Sequence, residues 1–159
     1  MQTMTSPSTS TADREIVTTR LIDAPRELVF EAWTDPKHVA QWFGPDGFKT
    51  TTQSMDVRPG GVWRFTMRGP DGTDWPNVVT YEQVVPPERL VYLHGDETEP
   101  DMFHNTVTFD DENGKTALTM RAVFKTAAAR DFVARERGAV EGGQQTISRL
   151  ERYVRSMGR

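Results

Sequence analysis

Val62-Trp63-Arg64-Phe65-Thr66-Met67-Arg68-Gly69-Pro70-Asp71-Gly72 alternates apolar and polar side chains and then breaks sharply. In an extended chain successive side chains point to opposite faces, so Trp63, Phe65 and Met67 share one face and Arg64, Thr66 and Arg68 the other. Gly69 to Gly72 has the composition of a tight turn. A strand with one greasy face and a short return predicts an antiparallel neighbour and a sheet that buries one side only.

The same signals continue on both sides. Downstream, strands are expected over residues 77–85, 90–95, 103–110 and 116–124. Pro86-Pro87, an acidic loop over residues 96–101 and the hairpin pair Asn113-Gly114 separate them. In the last strand Leu118, Met120, Ala122 and Phe124 face inward, while Thr119 and Arg121 face out. Upstream, residues 48–57 and 15–23 read as strands, the latter with an ambiguous inward register. Between these two lie two short helices. Pro25 suits the first turn of one, which runs to about Thr34 with Leu28, Val29, Ala32 and Trp33 packed inward. Asp35 caps the other, with Pro36 at its first position, and it ends at Gly44-Pro45. Thr126 caps a short helix through Val133. From about residue 138 to 157, Val140, Ile147, Leu150, Val154 and Met157 form one stripe at helical spacing. The fold class is therefore α+β: a curved antiparallel sheet of about seven strands wrapped around a long C-terminal helix, the only element large enough to cover the apolar face.

The 159 residues suit one domain, expected over residues 14–159. Residues 1–13 are Ser/Thr-rich and poor in large apolar side chains, which predicts a disordered tail without the features of a signal peptide. The net charge of −4 is mixed along the chain, and no basic stripe marks a nucleic-acid surface. No apolar run approaches the roughly 18 residues of a membrane span. The absence of cysteine excludes disulfides, thiolate metal sites and a cysteine nucleophile. A cytoplasmic location is the default expectation.

Certain stretches carry a family resemblance. Ile22-Asp23-Ala24-Pro25, then Val29-Phe30-Glu31-Ala32-Trp33-Thr34-Asp35-Pro36 and Gln41-Trp42-Phe43-Gly44-Pro45, resemble the opening of the heat-shock-protein-90 ATPase activator homologues of the START-like (SRPBCC) superfamily. Gly60-Gly61-Val62-Trp63-Arg64-Phe65, Val85-Pro86-Pro87-Glu88-Arg89-Leu90-Val91-Tyr92 and Gly138-Ala139-Val140-Glu141-Gly142-Gly143-Gln144-Gln145 extend the likeness over about residues 15 to 157. The resemblance implies the helix-grip fold of the birch pollen allergen and binding of hydrophobic small molecules between sheet and helix. In some members it implies catalysis, such as polyketide cyclisation. The eukaryotic activators carry a further N-terminal domain that engages the chaperone. Only a short tail stands in its place here, so a chaperone partner is not the expectation.

The candidate ligand wall is the inward stripe Trp63, Phe65, Tyr81, Tyr92 and Phe109 with Met67, Met120 and Ile147; ordinary core is the alternative for each. Trp42 and Phe43 are candidates for a cavity mouth or a core plug. Gly142-Gly143 interrupts the covering helix at a cost of roughly 1 kcal/mol per residue, which implies either close helix–sheet approach or open volume. His94 shares the inward face with Tyr92, while His104 falls in the opposite register. The spacing of these histidines from Asp96, Glu97 and Asp101 matches no common metal motif, so no metal is expected. Glu141 and Gln144 share a helix face and are either polar anchors or solvated groups. Phosphate loops, nucleophile elbows and zinc-protease helices are absent, and no cofactor is expected. The leading expectation is a protein that binds a hydrophobic or lipid-like small molecule. One alternative is an enzyme, cyclase or hydrolase-like, with His94 and Glu141 as acid–base groups. The other is a stress-related co-chaperone using a sheet edge or the acidic loop. A homodimer through an edge strand or helix stays open.

Overall fold

The computed structural model describes residues 11–157. Residues 1–10, most of the expected tail, lie outside the described residues, and Ala12–Arg14 form one 3-10 turn. The elements that follow are β1 (Glu15–Ile22), α1 (Arg26–Thr34), α2 (Pro36–Trp42), β2 (Lys49–Met55), β3 (Val62–Arg68), β4 (Asp74–Val85), β5 (Arg89–Gly95), β6 (Phe103–Glu112), β7 (Lys115–Phe124), α3 (Ala127–Glu136) and α4 (Ala139–Ser156). The sheet runs β1-β7-β6-β5-β4-β3-β2, antiparallel throughout. Six strands form a meander and β1 adds to its last member. This is the helix-grip arrangement that the resemblance implies.

Local chemistry sets the boundaries. The Asp35 side chain accepts a hydrogen bond from the Lys37 N–H at 3.0 Å and opens α2, with Pro36 at the first position. Asn113 and Gly114 both have positive φ (55° and 85°), as a two-residue hairpin turn requires. Strand β4 begins at Asp74, earlier than the expected Asn77, and includes Pro76. Pairing with β5 starts only at Val78, so Pro76 lies where β4 has a single neighbour and its missing N–H breaks no ladder. The register of β1, ambiguous in sequence, is fixed by β7: Thr18 and Ile22 are buried, whereas Val17 and Leu21 are exposed.

The core is an aromatic cluster under the α1–α2 corner. Trp33 meets Trp42, Phe43 and Phe109 edge-on at 5.0, 6.4 and 5.7 Å between ring centroids, and Phe43 meets Trp63 and Phe65 at 5.0 and 5.5 Å. Burying each such side chain stabilises the fold by about 2–3 kcal/mol. The indole N–H groups are satisfied: Trp42 Nε1 donates to Ala32 O at 3.0 Å and Trp63 Nε1 to Thr52 Oγ1 at 3.1 Å.

Helix α4 is fixed over this core by its buried stripe, Thr146, Ile147, Leu150 and Val154, and by polar ties at its flanks. Arg149 Nη1 donates to Gly44 O and Pro45 O at 2.7 and 2.9 Å, and Gln145 Oε1 accepts from the Asp46 N–H at 3.1 Å. Tyr153 Oη pairs with His38 Nδ1 at 2.7 Å, and Arg20 of β1 bridges to Glu151 at 3.0 Å. Val140, expected on the apolar stripe, is exposed instead.

The two helix glycines differ. A Cβ on Gly143 would stand 2.9 Å from Thr18 Oγ1 and 3.8 Å from Met120 Cε, so α4 approaches β1 as closely as a bare backbone allows. A Cβ on Gly142 would make only ordinary contact with Pro45, at 3.7 Å. Gly142→Ala is therefore expected to raise stability by roughly 0.5–1 kcal/mol through helix propensity alone. Gly143→Ala should lose that gain to the collision with Thr18 and unfold at a lower temperature than the Gly142 variant. Thermal denaturation of the pair checks this, and equal stabilisation of both would contradict the close approach.

Candidate functional site

Helix α4 lies across the curved sheet and borders both its packed core and its open part. The second half of α4 packs on the aromatic cluster. Its first half touches β1 at Gly143 and otherwise borders a cavity of about 510 Å³. The floor comes from four neighbouring strands: Ile16 and Thr18 of β1, Met120, Ala122 and Phe124 of β7, Phe103 and Asn105 of β6, and Tyr92 and His94 of β5. Ala139, Gly143 and Thr146 of α4 form one wall, and Ala129, Phe132 and Val133 of α3 form the roof. Phe43 closes the end toward the core. Most of these side chains are apolar.

The polar lining is sparse and specific. His94 is 8% exposed and sits between the rings of Phe65 and Phe103, at 5.8 and 4.8 Å. Burial drives its pKa down to about 4, so the ring is neutral at pH 7. Its Nε2 lies 2.8 Å from Asn77 Oδ1, and the amide of Asn77 is oriented because its Nδ2 donates to Trp75 O at 2.8 Å. The proton on His94 is therefore on Nε2, and Nδ1 carries the lone pair. On β6, directly opposite Tyr92, Asn105 is buried and donates from Nδ2 to Tyr92 Oη at 2.7 Å, leaving its Oδ1 buried without a partner. Burial holds the Tyr92 phenol above its usual range, and hydrogen bonds with Asn105 and Trp33 offset part of that shift. Thr146 donates its hydroxyl to Gly142 O at 2.8 Å.

The charged groups of the lining, Glu99, Lys125 and Arg137, are exposed. Lys125 Nζ is held by Glu99 and Asp101 at 2.9 and 3.0 Å. The Arg137 guanidinium lies over Trp75 at 4.5 Å and over Phe132 at 5.5 Å. Phe132, half exposed, and Val140 add apolar surface nearby.

Of the residues singled out in the sequence, Phe43, Tyr92, His94 and Met120 line this cavity. Trp42, Trp63, Phe65, Tyr81, Phe109 and Ile147 are buried in the core cluster, and Met67 packs on its edge. They face inward as expected, but over the half of the sheet that α1 and α2 fill. Glu141 and Gln144 are exposed on α4 and do not line the cavity, so His94 and Glu141 are not brought together as an acid–base pair. His104 lies on the outer face, 2.9 Å from Glu82, and shares no site with His94. The sequence reading missed Asn105, Thr18 and the α3 residues. Asn105 has a signal in retrospect, a polar residue on the inward register of β6.

The family model for Activator of Hsp90 ATPase homolog 1-like protein matches residues 23–155. Among solved structures, protein NE0264 from Nitrosomonas europaea is similar at 25% identity and a TM-score of 0.79, covering 92% of this chain and 97% of that one. Protein Ms6760 from Mycobacterium smegmatis is similar at 25% identity and a TM-score of 0.79, covering 90% and 91%. An AHSA1-like protein from Aeromonas hydrophila shares the fold at 24% identity and a TM-score of 0.72, covering 91% and 94%. No match is found among curated proteins. With the family model spanning most of its length and its architecture repeated in these structures, the chain belongs to the family of proteins similar to activator of Hsp90 ATPase homolog 1.

Proposed function

We propose that this protein binds a hydrophobic small molecule between the sheet and the first half of α4. The observation that carries the reading is the 510 Å³ cavity, with mainly apolar walls and a few buried polar groups. Small-molecule sites typically have that size and composition. A second support is the placement of the glycines. Gly143 keeps α4 tight on β1 while adding no side chain to the cavity it borders. Exposed Phe132 and Val140 give an apolar ligand surface to meet before it enters. His94, neutral and without a carboxylate partner among the described residues, serves as a wall group in this reading rather than as an acid or base.

Two outcomes are expected. Titration with the apolar dye 1,8-ANS should give a saturable fluorescence rise. Ala122→Trp, which fills the floor of the cavity, should abolish that rise while leaving the thermal midpoint within a few degrees of the parent. A variant that folds normally and still binds the dye would remove the cavity as the site.

The second outcome concerns acid. His94 has a folded pKa of about 4 against an unfolded value near 6.5. Between these values the unfolded chain binds more protons, so stability is full above pH 6.5 and falls as the pH drops toward 4. The loss is of the order of 3 kcal/mol. His94→Phe should flatten that part of the stability–pH curve relative to the parent, measured by urea denaturation. Parallel curves would show that His94 is not buried as a neutral ring.

A further inference from the structure

The polar groups of the cavity wall are unequal in kind, and the inequality says what a ligand must bring. Neutral His94 donates from Nε2 to Asn77 Oδ1 and retains an acceptor at Nδ1, which has no partner among the described residues. Asn105, diagonal to it on the adjacent strand, leaves its Oδ1 buried and unpaired. Thr146 has given its hydroxyl proton to Gly142 O, and the charged lining residues are exposed rather than set in the floor. The wall thus holds two acceptors without partners, His94 Nδ1 and Asn105 Oδ1, while the unpaired Thr18 hydroxyl can act as donor or acceptor. A buried acceptor that lost its water and gained nothing in return would oppose binding. A ligand that supplies a donor removes that penalty.

We infer that the cavity selects amphiphiles carrying a neutral hydrogen-bond donor, a phenol or an alcohol, with that donor seated on His94 Nδ1 and the apolar body lying among Met120, Ala122, Phe124 and the α3 roof. This rests on the cavity being a ligand site and adds the chemical class it takes. The histidine fixes the sense of the bond because Asn77 already holds its only proton. A ligand offering only an acceptor, such as a ketone or an ether, leaves the His94 lone pair without a partner and gains nothing from that group.

The test uses two probes of nearly equal shape, 1-naphthol and 1-methylnaphthalene, titrated at pH 7 into the full-length protein. Greasy contact alone favours the methyl compound, since a hydroxyl must be stripped of water. The expected result is the reverse order, with 1-naphthol tighter by about tenfold or more. In protein carrying ¹⁵N-labelled histidine, the His94 Nδ1 resonance should move with 1-naphthol and stay in place with 1-methylnaphthalene. His94→Phe should restore the order set by greasy contact; should that variant not fold, the ranking and the resonance in the parent protein still decide. Equal or weaker binding of 1-naphthol would overturn donor selection and leave the cavity as a ligand site. Tighter 1-naphthol binding with an unmoved Nδ1 resonance would overturn the assignment to His94. Binding of neither probe would overturn the cavity reading, and this inference with it.

Discussion

The contacts that seat helix α4 on the curved sheet decide how the rest of the inward face is used. Helix α4 comes down on β1 where Gly143 faces Thr18 with no side chain between them. It is pinned again from its middle onward by Ile147, Leu150 and Val154, and by Gln145, Arg149 and Tyr153 reaching α2 and the loop after it. Between the sheet and the second half of α4 the gap is filled by Trp33, Trp42 and Phe43, delivered by the two short helices. Beneath the first half no equivalent plug arrives, and the cavity is what remains. The hollow and the core are two ends of one inward face, divided by where α1 and α2 place their aromatic rings. Phe43 belongs to both, packed against Trp63 and Phe65 on one side and closing the cavity on the other.

That division explains which parts of the molecule were legible in the sequence. Period-2 alternation reports which face a residue takes, and it placed Trp63, Phe65, Tyr92 and His94 inward. It carries no information about depth or about what lies opposite. Whether an inward aromatic meets another ring or an empty space depends on elements far away in sequence, so Trp63 and Tyr92 could not be told apart. The register of β1 failed for a related reason. Its residues are β-branched on both faces, and only pairing with β7, about a hundred residues on, settles that Thr18 and Ile22 are inside. The hairpin at Asn113-Gly114 and the cap at Asp35 were legible because their causes are local. Glu141 and Gln144 share a face of α4, as their spacing requires, but the rotation of that helix is set by its buried stripe and turns both to solvent.

The polar groups of the wall show the same interplay of local and distant causes. A histidine on an inward strand face, with no carboxylate beside it, remains neutral because burial penalises its charge. Its tautomer is then set by Asn77 on β4, and Asn77 in turn by the Trp75 carbonyl. Trp75 also lies under the Arg137 guanidinium, which joins the start of β4 to the junction of α3 and α4. One end of this chain of contacts is thus a neutral ring in the cavity wall and the other is an exposed stacking contact.

The roof is the element least committed to the fold. Helix α3 has no fully buried residue, and Phe132, which lines the cavity, is half exposed. Its ends are held by the Thr126 cap and by Arg137 stacked on Trp75, the latter worth about 0.5–1 kcal/mol at an exposed site. Local opening follows the elements with the least buried contact. The sheet floor and α4 are bound into the core, so displacing either would expose the aromatic cluster. Lifting α3 disturbs partly buried side chains and the hydrogen bond from Arg130 Nε to Glu15 O at 3.2 Å. The cavity is therefore bounded by a floor built into the core and by a roof with no fully buried residue of its own.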